Sequence, residues 1–163
     1  MKLYIALDKV SQQIQAVSLT SNGADDATEM ATLLSQIRQP IGSFKGAGAY
    51  DKDKVRRELA KRGIKQVIPP QHNAVVSNTG LTHLRSRNKA IKIIALAGRT
   101  AWKVQSGYHQ RSKAETGMFR YKTIIAASLS AKKIENQQTE IKIGCKILNT
   151  ILQMNKPISI KVT

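Results

Sequence analysis

Apolar and polar positions in the first 70 residues alternate between the two-residue period of strands and the 3.6-residue period of helices. Residues 3–7 (LYIAL) and 13–19 (QIQAVSL) read as two strands joined by the polar stretch 9–12, which predicts an antiparallel hairpin. Ser21, Asn22, Gly23 and Ala24 then break the strand. Asp25 or Asp26 is placed to cap a helix whose apolar positions Met30, Leu33, Leu34 and Ile37 recur at helical spacing, and which ends before Pro40. A short strand is expected at residues 43–47. After it, GAGAYDKDK opens a helix at Tyr50 and Asp51 that runs to about Arg62, with Asp51 and Asp53 in its first turn and Gly63 at its stop. Residues 66–68 form one more buried strand, closed by Pro69 and Pro70. This order of strands and helices predicts an α/β domain built on a mixed sheet.

The second half is helical. Residues 71–85 read as a loop whose histidines, His72 and His83, are expected at the surface. From about Ser86, Ile91, Ile93, Ile94, Leu96 and Ala97 make an apolar stripe, interrupted by Gly98 and followed by Trp102. Arg85, Arg87, Lys89, Lys92, Arg99 and Lys103 form its solvated side. A break at residues 128–133 precedes a last helix over 136–154. Its Ile141, Ile143, Ile147, Leu148, Ile151 and Leu152 are expected to pack on the sheet. No repeat, low-complexity run or linker divides the chain, so residues 1–154 read as one core and 155–163 as a tail.

Composition narrows the class. A chain of 163 residues, 41% apolar, suffices for one domain with a real core. The single cysteine, Cys145, excludes an internal disulfide, and no Cys/His cluster has zinc-ligand spacing. No apolar run approaches the roughly 18 residues of a membrane span, and Asp8 interrupts any signal-peptide core, so a cytoplasmic protein is expected. The net charge of +17 falls almost wholly after residue 60. A polyanion would be met by that second half, and nucleic acid is the expected partner because neutralised phosphates release counterions. Only two Phe and one Trp accompany four Tyr, a thin supply for stacking single-stranded bases.

One carboxylate interrupts the basic region. Between Glu58 and Glu135 lie 76 residues with fifteen Lys or Arg and a single acid, Glu115. If residues 108–122 (YHQRSKAETGMFRYK) are helical, Tyr108, Arg111, Glu115 and Lys122 fall within roughly 60° of one another on one face. Met118, Phe119, Ile125 and Leu129 lie near the same side. The plain alternative is an ordinary basic helix with one Arg–Glu pair at i, i+4.

These four residues resemble the Tyr-Arg-Glu-Lys signature of bacterial insertion-sequence transposases with a ribonuclease-H-like DDE catalytic core. The resemblance extends over nearly the whole chain: KLYIALD, GAGAYD, VIPP at residues 67–70 and RNKAI at 87–91 are similar, in the same order, to the insertion-sequence-five type. It implies a ribonuclease-H-like α/β fold lacking its first strand, that is, a catalytic core truncated at the amino terminus. It also implies Glu115 as a catalytic, metal-binding carboxylate with Mg2+ as cofactor. Arg111 and Lys122 are implied as DNA contacts; Lys113 and Arg120 join them as candidate DNA-binding residues of the basic surface, with Tyr108 positioning the helix. The implied activity is DNA transposition, by metal-dependent strand cleavage and transfer.

Two departures from the pattern change the expectation. The position of the second catalytic Asp is held by Ala47, and the first catalytic Asp has no counterpart in the chain. Asp8 and Asp51 are not expected to substitute. In-line phosphoryl transfer uses two divalent ions, each needing several oxygen ligands, and one carboxylate cannot hold two of them. The chain is therefore expected to be a catalytically inactive transposase core that keeps a DNA-facing surface. The alternative is a non-enzymatic DNA-binding regulator or inhibitor of an intact transposase, acting by competition for DNA ends or by mixed assembly. With the first strand missing from its central place, neighbouring strands must pair directly or leave unpaired edges, or a partner must supply the strand.

Overall fold

The computed structural model describes residues 1–154, so the expected tail lies outside the described residues. Strands β1 (Lys2–Leu7) and β2 (Ile14–Thr20) form the hairpin, antiparallel from Lys2↔Thr20 to Leu7↔Ile14, with an irregularity after Ala6. Asp8 shapes its turn. One carboxylate oxygen accepts from the Val10 and Ser11 amides and the Ser11 hydroxyl, and the Ser11 amide chiefly holds the carboxyl below its usual range.

Helix α1 (Asp26–Gln36) follows, then β3 (Ser43–Lys45), α2 (Asp53–Lys61) and β4 (Lys65–Val67). β3 and β4 pair in parallel across the α2 crossover. The described residues thus hold two separate two-stranded sheets rather than one continuous mixed sheet. The order expected from the sequence survives. The continuity does not, since no described strand pairs with the other edge of β1 or of β3.

The outer edge of β2 is treated differently. The Asn149 side-chain amide donates to the Ile14 carbonyl and accepts from the Ile14 amide, both at 2.8 Å, and Gln36 does the same for Val17 at 3.1 and 3.2 Å. Side chains of flanking helices therefore satisfy backbone groups that a neighbouring strand would otherwise take.

Three apolar clusters hold the layers together. Ile14, Val17 and Leu19 pack with Ile141, Cys145 and Leu148 of α5 (Ile134–Gln153) and with Tyr121. Met30 and Leu34 of α1 meet Val55 and Leu59 of α2, with Ile64 and Ile68. Val67 packs with Ala90 and Trp102 of α3 (Arg85–Ser106), a helix interrupted at Gly98, whose φ of 83° and ψ of 163° are non-helical. Burial pushes the Cys145 thiol up to about 11, so it acts as a small core residue.

Several expectations are corrected. Ile143, Ile147 and Ile151 do not pack on the sheet; α5 buries the stripe Ile141, Gly144, Cys145 and Leu148 and leaves the next stripe exposed. Leu96 is likewise exposed. His83 is buried, not superficial, with its Nε2 2.5 Å from an Asp53 carboxylate oxygen. That contact, ahead of Arg57, holds the Asp53 carboxyl below its usual range.

Gly144 is needed for close approach. A Cβ there would stand 2.7 Å from Ile125 and 3.0 Å from the Tyr121 ring. Gly144→Ala is expected to lower stability by about 1–3 kcal/mol, through overpacking that outweighs the gain in helix propensity, measured as a reduced unfolding midpoint.

Candidate functional site

The segment nominated by its lone acid is not one uniform helix. Gly107, at φ 65°, ends α3 in the left-handed conformation that glycine adopts freely, and Tyr108–Arg111 then form a 3-10 turn. Helix α4 (Ser112–Arg120) follows and passes into a π turn, Tyr121–Ile125. A 3-10 turn advances by about 120° per residue and a π turn by less than an α-helix, so the segment winds unevenly between Tyr108 and Lys122. Packing explains the change of winding. Gly117 brings α4 against Leu7 of β1, and the π turn carries Tyr121 into the cluster between the hairpin and α5.

The nominated side chains have distinct environments. Arg111 Nη1 donates to Glu115 Oε1 at 2.5 Å, with side-chain exposures of 30% and 63%. This bond is the main reason the Arg111 pKa lies above its ordinary value. Tyr108 is half-buried against Trp102, with ring centroids 5.5 Å apart and a tilt of 39°. Lys113 Nζ donates to the Lys9 carbonyl at 2.7 Å, tying α4 to the hairpin turn. Arg120 is half-buried, and its Nη1 has no hydrogen-bond partner among the described residues. Lys122 is exposed. Ala47 is the residue before the 3-10 turn Gly48–Tyr50 and offers no ligand atom.

The acids that could join Glu115 are committed elsewhere. Asp51 does not start a helix, as its sequence position suggests, but lies just before α2 with its side chain only 1% exposed. One of its oxygens accepts from Arg56 Nε at 2.8 Å and from Arg87 Nε at 3.2 Å, with Arg56 Nη2 in ion-pair contact at 2.8 Å; the other accepts from the Gln71 amide at 2.9 Å. Arg56 also donates to the Gln66 side chain and the Ile68 carbonyl, both at 3.2 Å. Asp8 serves its turn, and Asp53 is taken by His83 and Arg57. Among the described residues no group of three His, Cys, Asp or Glu side chains could hold a metal ion.

A family model, the transposase DDE domain, matches residues 1–150. The chain belongs to this family. No solved structure gives a significant match. Transposase DDE domains carry a ribonuclease-H-like fold, act in DNA transposition on DNA, and use divalent metal ions. In this transposase DDE domain the residues present do not fit such ions: an exposed carboxylate bound to an arginine offers neither the charge nor the number of oxygens that hard cations require. No described helix is long and apolar enough to cross a membrane.

The group that does bring the family-like motifs together was not anticipated. Asp51 of GAGAYD accepts from Arg56 and from Arg87 of RNKAI, and Arg56 donates in turn to the carbonyl of Ile68 of VIPP. A signal existed: Arg56 sits beside Val55 and three residues before Leu59, on the apolar face of α2, where an arginine is costly unless paired.

Proposed function

We propose that this chain is the DNA-binding part of an insertion-sequence-five-type transposase core, incomplete for catalysis, which does not carry out strand transfer by itself. The observation that carries this reading is the Arg111–Glu115 bond, together with Ala47 two residues past β3. The carboxylate that the resemblance assigns to metal is used to orient an arginine. In this reading Lys122 and Arg111 meet phosphates directly, Lys113 and Arg120 lend positive potential from partly covered positions, and Tyr108 holds the segment against Trp102. Mg2+ is not part of DNA binding by the isolated chain.

Fluorescence anisotropy with a labelled duplex tests this. Affinity should fall as salt rises from 50 to 200 mM, with a logarithmic slope of about −0.9 per phosphate neutralised, and EDTA should leave it unchanged. Binding that is absent, insensitive to salt, or abolished by EDTA would refute the reading.

The edges of β1 and β3, which pair with no strand among the described residues, favour a second reading, a regulator that assembles with an intact transposase through strand addition. Co-purification with an intact family member, lost when proline is placed in β1, would support it over simple competition for DNA.

A further inference from the structure

The signature segment is not the most available cationic surface in the molecule. α3 carries six Lys or Arg and no acid, and the structure sorts them. Arg87 turns inward, donating to Asp51 and, at 2.9 Å, to the Val75 carbonyl. Arg99 donates to the Pro70 carbonyl at 3.0 Å. These two fasten the helix to the core.

Arg85, Lys89 and Lys92 are exposed and have no hydrogen bond or ion pair to the described residues. They stand at i, i+4 and i+7, so they form one row spanning roughly 10 Å along the helix. The arrangement works against helix stability. Arg85 and Arg87 occupy the first turn, at the positive end of the helix dipole, and like charges at i, i+4 repel. Nothing within the described fold offsets this for the outer row, so an external anion is the group that would.

We propose that the outer row of α3, Arg85, Lys89 and Lys92, is a second duplex-DNA contact surface that binds backbone phosphates without reading sequence. This rests on the DNA-binding reading above and adds a surface separate from the signature segment. A duplex is favoured over a single strand because aromatic platforms are lacking nearby: Trp102 is buried and Tyr108 is packed on it.

The test compares the R85Q/K89Q/K92Q variant with wild type in the duplex titration against salt. Loss of three phosphate contacts should flatten the logarithmic slope by about 2–3, equally for unrelated duplex sequences. The charge-preserving R85K/K89R/K92R variant should retain the wild-type slope. A control, K132Q/K133Q/K142Q, removes the same charge from exposed positions elsewhere. Circular dichroism should show both glutamine variants folded, since all six side chains are exposed. If wild type binds but the α3 variant keeps its slope, or the control flattens it as much, this inference falls while the DNA-binding reading stands. If wild type shows no salt-dependent duplex binding, both fall.

Discussion

Asp51→Ala should lower the free energy of unfolding by about 3–5 kcal/mol, the range for removing one partner of a fully buried ion pair. The carboxylate is the acceptor on which Arg56 and Arg87 meet, and both it and Arg56 have side chains only 1% exposed. Without it a guanidinium remains inside the protein with two weaker neutral acceptors, the Gln66 side chain and the Ile68 carbonyl. The loss should appear as a lower urea midpoint with little change in denaturant dependence. Combining Asp51→Leu with Arg56→Met should cost less than the two single substitutions summed, because the fully buried charge leaves with its partner and only the part-exposed Arg87, which keeps the Val75 carbonyl, loses an acceptor. A change under about 1 kcal/mol for Asp51→Ala would mean that water reaches Arg56.

Glu115→Gln has opposite consequences in a working metal site and in the arrangement seen here. In a metal site it removes a ligand and the activity. Here it removes the acid that engages Arg111, so duplex affinity should rise and the logarithmic salt slope should steepen by about one. The folded state should change by less than about 1 kcal/mol, because the pair is largely exposed. Weaker duplex binding by Glu115→Gln would contradict the assignment.

How far residues could be read without coordinates depends on what sets their environment. The hairpin, α1 and α2 follow from local periodicity, and their ends lie within about three residues of the positions read from caps, prolines and Gly63, the start of α2 being the furthest off. The gap between the sheets was foreseeable only through the ribonuclease-H-like resemblance, since no local pattern in β1 or β3 states which strand should be beside it. The winding of residues 108–125 was not legible. The periodicity takes residues 108–122 as one α-helix, whereas tertiary packing of Gly117 and Tyr121 imposes a π turn, and Gly107 restarts the helix as 3-10. The exposed Ile143, Ile147 and Ile151 follow from a related limit. α5 carries two adjacent apolar stripes, and composition alone does not say which one meets β2. His83 and Asp51 share a further cause, because their partners lie 30 residues or more away in sequence: Asp53 for one, Arg87 for the other.

On the proposed reading the acid of the signature segment orients an arginine and holds no metal. A strand-transfer assay with purified chain, duplex ends and Mg2+ or Mn2+ tests it most directly. The expected result is no joined product from wild type or from Glu115→Gln, under conditions where both bind the duplex. Joined product from wild type that disappears in Glu115→Gln would contradict it.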